Sequence, residues 1–478
     1  DLVHDHYNFS YGMFSNVVSG GVCLDIRNSQ SMLDEDYRIE NISFPNNPGG
    51  GAVNIKKNIN SVGEIEVYNA TGLLSGALYE NDPYNIINWT GDVEYYWTAG
   101  ARTNDWDDPD NWIAKVNGEE VSHATPPTSS TNVTIPAGLT KYPELGDGVE
   151  ARAKKLTVLS GASIKLNNTT ADIIPLQLAS DLVLEGQLEM TNTTDIIEVM
   201  GNWSTGVSSR LTAGEGVVRL SGVGAQAIQN RNHSFNTLIL NCNGIVQTQG
   251  ALKVDGDFVI EQGTYDVTSS NYALTVGGNF INNGTFRAQS GTITLQGTGA
   301  LNFNPGGSSL CNVTVASGNY SVITNELIIT KYLDVKAGAT LNISNNTINM
   351  GDGSGYDYLY VRGTVNVGSN GSIVMGNSAT ISVESGGTIN LVGADNSEAT
   401  VTSTGLSATY SFVVNSGGTI GARHYIIERI NADGLYLKSG SLVNETNNLS
   451  DGQFVGGTSG GQYLWLANNL ADAEDVLE

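Results

Sequence analysis

From Leu252 to Gly297 the chain reads LKVDGDFVIEQGTYDVTSSNYALTVGGNFINNGTFRAQSGTITLQG, and it states one pattern twice. Leu252, Val254, Gly256 and Phe258 return as Leu274, Val276, Gly278 and Phe280, and Gly263 and Tyr265 return as Gly284 and Phe286. Apolar and polar residues alternate, which sends every second side chain to one face of a strand, and a Gly interrupts each run where the chain must bend. A unit of about 20 residues cannot bury its own apolar face, so it must stack on its neighbours. The outward positions Lys253, Asp255, Asp257, Thr275 and Asn279 share no chemistry between the two copies, whereas the inward positions are nearly identical. What is copied is the core.

The same apolar-x-apolar-x-Gly-x-apolar pattern recurs at Leu182, Leu184, Gly186 and Leu188, at Ile197, Val199, Gly201 and Trp203, and at Leu359, Val361, Gly363 and Val365. Shorter echoes are SGASIKL from Ser160, AGATLNI from Ala337, SGGTINL from Ser385 and SGGTI from Ser416. Propeller blades need about 40 to 50 residues each and a more regular period. The expected class is therefore all-β, a right-handed parallel β-helix (solenoid) with an aromatic and Pro-rich junction or cap and an N-terminal β module. The expected division is 1–92 as the N-terminal β module, either the end of an upstream β-helix or a β-sandwich. It continues with 93–150 as junction or cap, 151–450 as parallel β-helix, and 451–478 as a C-terminal tail or truncated end.

Composition narrows the function classes. The 478 residues hold 48 acidic and 22 basic side chains, a formal net charge of -26, and no Lys/Arg cluster, so nucleic acid is excluded as a partner. No run of about 18 apolar residues spans a membrane, and DLVHDHYNFS at the start has neither the basic nor the apolar stretch of a signal peptide. Cys23, Cys242 and Cys311 are too far apart for a disulfide framework or a metal site, and Cys242 and Cys311 read as small buried side chains on strands.

Between Tyr95 and Leu145 the texture changes. Trp97, Trp106 and Trp112 fall close together and are followed by Pro126, Pro127, Pro136 and Pro143. A dense aromatic cluster beside Pro-rich loops builds a local core suited to closing the end of a solenoid. Within it, NDWDDPDN offers Asp105, Asp107, Asp108 and Asp110, spaced as a calcium site would need, although without the Gly and distal Glu of an EF-hand. Turn-forming Asp and Asn are the competing reading of that run. Candidate catalytic carboxylates on the β-helix are Glu185, Glu189, Asp255, Asp257, Asp334 and Glu384, but nothing in their spacing selects a pair. His4, His6, His123, His233 and His424 form no metal motif, and no GxSxG elbow occurs.

The residues WTAGARTNDWDDPDNW and PPTSSTNVTIPAGLTKYPEL, from Trp97 to Leu145, with YENDPYNIINW upstream, resemble a block of very large secreted surface proteins of Bacteroidetes. The shared elements, in order, are W-x-x-G, D-W-x-x-x-x-N-W, a Pro pair, N-V-x-I-P and Y-P. The resemblance implies export by the type IX secretion system, display at the cell surface, and roles in adhesion and gliding motility. It implies no catalytic residues. The expected function is an exported structural, adhesin-like protein with no catalytic residues and no cofactor beyond the calcium candidate. Its expected partners are the secretion machinery and other surface proteins or glycans. A carbohydrate-active β-helix enzyme and a cation-stiffened binding module are the alternatives.

Overall fold

The computed structural model describes residues 93–467 apart from 117–118, 122–124 and 352–356, together with the backbone of short strands between Asn8 and Thr90. Those early strands pair in parallel in two sets. Asn8–Ser10, Tyr37–Glu40, Ile65–Tyr68 and Ile87–Thr90 make one sheet, and Val22–Ile26, Val53–Lys57 and Glu80–Asn81 make the other. Successive strands alternate between the two sheets, which is the connectivity of stacked coils. A sandwich would join its neighbours as antiparallel pairs. The side chains of Cys23, His4, His6 and His123, and the tail 468–478, lie outside the described residues.

The chain divides into two compact units, Asp1–Ile197 with Gly206–Thr212, and Glu198–Thr205 with Ala213–Glu478. Both are built from right-handed parallel β-solenoid coils. In the first unit, Lys155–Val158, Ser163–Leu166 and Leu176–Leu178 feed three different strand stacks, with Leu156 facing Leu182, Ile164 facing Leu188 and Ala151 facing Leu176 in register. The stacking is interrupted at Val93–Trp97, which runs parallel to Asn132–Ile135 on one side and antiparallel to Trp112–Val116 on the other. Glu119–Val121 pairs antiparallel with that last strand in turn.

The second unit repeats the three-strand coil. Thr340–Ile343, Thr347–Met350 and Tyr358–Val361 stack on Thr364–Val367, Ser372–Met375 and Thr380–Val383, each residue opposite its counterpart. Alternation decides the two faces, since Leu341, Ile343, Val365, Ile389 and Leu391 are buried while Thr340, Asn342, Thr364 and Asn366 point outward. Full burial of each aliphatic side chain contributes about 1.5–3 kcal/mol. The opening repeat supplies an aromatic column, in which Phe258, Phe280 and Phe303 follow one another at ring separations of 5.5 Å and Tyr265 stacks on Phe286 at 5.6 Å.

Two glycine positions recur for different reasons. The corner glycines of the short echoes, Gly161, Gly338, Gly386 and Gly417, all lie at positive φ, at 85°, 81°, 77° and 75°. The glycine of the longer pattern is needed for close approach instead: a Cβ on Gly363 would sit 2.2 Å from the Lys336 carbonyl oxygen of the coil beneath. Cys242 and Cys311 are buried free thiols, in keeping with their alternation in sequence.

Candidate functional site

Three places in the described residues concentrate polar or aromatic chemistry, and only the last presents it to solvent as a continuous surface. The first is the aromatic junction. Trp97, Trp106 and Trp112 are buried, with Trp112 meeting Trp97 edge-on at 5.0 Å and Trp106 at 4.7 Å. Two of the indole N–H groups are satisfied internally, Trp97 Nε1 donating to the Lys141 carbonyl at 2.9 Å and Trp112 Nε1 to the Trp106 carbonyl at 2.8 Å. Pro136 follows the strand Asn132–Ile135 directly and is half-buried. The cluster therefore serves packing, as an aromatic cap does.

The acidic run lies on this cluster as a pair of turns. Asp105 accepts a hydrogen bond from the Asp107 amide at 3.0 Å, and Asp108 caps the 3-10 turn Pro109–Asn111 by accepting from the Asp110 amide at 3.1 Å. Asn111, fully buried, ties the loop together by donating to Thr103 Oγ1 and to the Asp105 carbonyl, each at 2.8 Å. Partial burial, and then the neighbouring charge of Asp105, raise the Asp107 carboxyl above its ordinary range. Among the described residues no group of three or more His, Cys, Asp or Glu side chains is placed to share a metal ion.

The carboxylates singled out on the β-helix are dispersed. Glu185 and Glu189 are exposed on the first unit. On the second, Asp255 forms an ion pair with Lys253 at 2.6 Å and accepts from Ser234 Oγ at 2.5 Å. Asp257 accepts from both the backbone and side-chain N–H groups of Asn279, at 2.7 and 3.0 Å. Of the outward residues of the opening repeat, Asp257 and Asn279 are thus partners between the two copies without being alike. His424, isolated in sequence, stands 3.1 Å from Asp395 and 3.9 Å from Asp451.

Asp334 and Glu384 belong to the third place, one outward face of the second unit. Here the register runs from Asp334 to Tyr360 to Ser382 to Val413 to Tyr436 to Trp465, while Tyr332 faces Tyr358. Asp334 is 7% exposed, and its Oδ2 receives Lys336 Nζ at 2.6 Å and Arg362 at 2.5 Å. The Arg362 guanidinium in turn lies 4.8 Å over the Tyr360 ring, which stacks parallel on Tyr358 at 5.0 Å. Burial foremost, and the adjacent Tyr358, raise the Tyr360 hydroxyl above the usual phenol range.

From there a line of hydrogen bonds crosses three coils. Ser382 Oγ donates to Glu384 at 2.7 Å, Asn415 Nδ2 donates to Ser382 Oγ at 3.0 Å, and Lys438 Nζ donates to Asn415 Oδ1 at 2.8 Å. It ends against a second stacked pair, Tyr436 on Trp465 at 4.2 Å. Asp334 and Glu384 are separated by two strand steps and one step along the strand, so about 10 Å or more divides them. Asp334 is already neutralised by two cations. This arrangement can grip a ligand over a distance; it does not resemble two carboxylates flanking one bond.

Sequence reading found Asp334 and Glu384 but missed the tyrosines, Arg362 and Lys438. The signal available was the cluster Tyr358, Tyr360 and Arg362 at alternating, hence same-face, positions. Among the described residues no helix is long and apolar enough to cross a membrane. No protein-family model matches the chain, and neither the curated proteins nor the solved structures contain a significant match to it.

Proposed function

We propose that this chain is an exported structural segment of an adhesin-like cell-surface protein, carried by type IX secretion and serving adhesion or gliding motility. The observation that carries the reading is the β-solenoid itself, whose inward positions repeat from coil to coil throughout while its outward positions repeat only on some strands. A scaffold selected for length needs only its core to repeat, and its lateral surface is then available for extended, shallow contacts. The block from Trp97 to Leu145 supports the assignment to export through its resemblance to secreted surface proteins. The partners in this reading are the secretion machinery and other surface proteins or glycans. No cofactor enters it, and the chain is not catalytic.

The test is display. An epitope tag placed within this segment of the full-length protein, in a host that carries type IX secretion, is expected to be cleaved by protease added to intact cells and to remain inside when the secretion machinery is deleted. A protein that stays inaccessible in the intact host overturns the reading.

A second reading, a polysaccharide lyase or hydrolase, draws on one observation: Asp334 and Glu384 share a face with half-exposed aromatic residues. Incubating the chain with polysaccharides and assaying new reducing ends or unsaturated products separates the two. Turnover that disappears in both Asp334→Asn and Glu384→Gln would establish the enzyme.

A further inference from the structure

We propose that the outward face carrying Tyr358, Tyr360, Arg362, Lys336 and Tyr436 is a binding site for an acidic, uronate-bearing polysaccharide. The inference rests on the adhesin reading above and gives it a ligand class and a location.

The first argument is contrast within the same coils. Where Tyr358 and Tyr360 stand on one sheet, the neighbouring sheet of the same coils presents Thr340 and Asn342, then Thr364 and Asn366, then Thr388 and Asn390, in register. Small polar residues are therefore sufficient for an outward strand of this solenoid, and the coil does not need tyrosine there. Tyr358 and Tyr360 are nonetheless half-exposed and lie flat on one another with 6° between their planes. With Tyr358 stacked on Tyr360 and the Arg362 guanidinium over Tyr360, the faces of the Tyr360 ring are taken, and the column serves to hold that guanidinium in place at the surface, with the tyrosine hydroxyls beside it to meet the hydroxyls of a sugar.

Charge supplies the second argument. The chain carries a net charge of -26, yet this patch sets Lys336, Arg362 and Lys438 against Glu384 and the buried Asp334, which leaves a positive excess on a strongly acidic chain. Asp334 lies buried beneath, and its hydrogen-bonded clip holds Arg362 over Tyr360 before any ligand arrives. Such preorganisation spares the ordering cost of a long cationic side chain. A planar guanidinium held in place at the surface matches a sugar that bears a carboxylate.

The third argument is reach. Tyr360 and Tyr436 are three strand steps apart, about 14 Å, with the polar line from Ser382 to Lys438 between them. That span requires a polymer of several sugars, and a monosaccharide would engage only one end.

The experiment measures retention and affinity of the purified chain on polygalacturonate, on dextran as a neutral polymer, and on dextran sulfate as charge without uronate. Polygalacturonate is expected to bind best. Tyr360→Ala and Arg362→Gln should each weaken it by roughly tenfold, whereas Tyr360→Phe, which keeps the ring, should not. Thr364→Ala on the neighbouring sheet should leave affinity unchanged. Melting curves check folding, and Lys438→Gln carries the test if Tyr360→Ala does not fold.

Three outcomes overturn the site: polygalacturonate not retained, dextran sulfate bound at least as well, or Tyr360→Ala and Arg362→Gln without effect. A chain displayed on cells that fails these tests loses the site and keeps the adhesin reading. A chain that passes them but stays inside the cell keeps the site and loses that reading.

Discussion

Asn342, Asn366 and Asn390 stand in register on successive coils, and each side-chain amide donates to the one before it: Asn390 to Asn366 at 2.8 Å, and Asn366 to Asn342 at 2.9 Å. Asn342 passes the chain on to Asn319 at 2.5 Å. Only a side chain with both a donor and an acceptor can occupy the middle of such a ladder. Asn366→Ala removes two hydrogen bonds at a half-exposed site and should cost about 1–2 kcal/mol, read as a shift in the denaturation midpoint. Asn366→Asp keeps an acceptor for Asn390 but has no donor for Asn342, and should cost at least as much. The acidic junction submits to a similar exchange. Asp105 and Asp108 act in their turns as acceptors, so Asp105→Asn and Asp108→Asn should leave the melting temperature nearly unchanged with or without chelator. Asp107, whose carboxyl is raised by partial burial and by Asp105, is favoured in its protonated form by folding. Its contribution is present below the ordinary carboxylate pKa and lost as pH rises through the folded value, so Asp107→Asn should be neutral or slightly stabilising at pH 7. A calcium-dependent melt abolished by these three substitutions would replace the turn explanation with a bound ion.

At the scale of the coil, the two recurrent glycines separate what a turn demands from what stacking demands. Gly338 needs positive φ, but nothing lies within 4 Å of a Cβ added there; Gly363 has an ordinary φ, but an added Cβ meets two carbonyl oxygens, at 2.2 Å and 2.4 Å. Gly338→Ala should therefore cost about 1–2 kcal/mol of local backbone strain. Gly363→Ala must push coils apart and should cost more, with urea unfolding as the measurement; equal costs would mean that the close approach relaxes freely. Both glycines were visible in the sequence as punctuation between apolar runs, and so was the core, because burial forces the same residue types into the same positions of every coil. The face from Asp334 to Lys438 was not legible in that way. Its members come from different coils, their types do not repeat, and only the register sets Lys336, Arg362 and Asp334 together. Spacing along the chain records the local neighbours, Asp334 with Lys336 and Tyr358 with Tyr360 and Arg362, but not which strands lie side by side, and this is why Asp334 and Glu384 looked isolated. The junction was legible in composition, since the three tryptophans do pack together, but the use of Asp105 and Asp108 as caps depended on backbone geometry.

At the scale of the whole second unit, buried tyrosines should set the alkaline limit of stability. Tyr265, Tyr320, Tyr410 and Tyr425 are all within 2% of complete burial. Burial raises all four hydroxyls, those of Tyr320 and Tyr425 to about 12. Three of the neutral hydroxyls donate to backbone carbonyls, Tyr410 to Val401, Tyr425 to Leu449 and Tyr320 to Gly278, each at 3.2 Å. A phenol titrates near 10 in the unfolded chain, so these folded values are raised. The stability they represent is fully present below pH 10 and is lost as pH climbs from 10 towards 12. Tyr320 and Tyr425 therefore each withdraw part of the stability over that window. Lysines discharge in the same range and deepen a net charge already at -26, which adds self-repulsion that salt can screen. The two causes can be separated. Phenolate absorbance and circular dichroism followed together through pH 9–12 should change in one concerted step, and added salt should move that step only slightly upward. Tyr425→Phe, which keeps the ring and gives up one hydrogen bond, should lower stability at pH 7 yet flatten its fall above pH 10. If phenolate absorbance instead rises gradually while the β-sheet signal holds to pH 12, these hydroxyls ionise inside the folded coils and the alkaline limit must lie with charge repulsion alone.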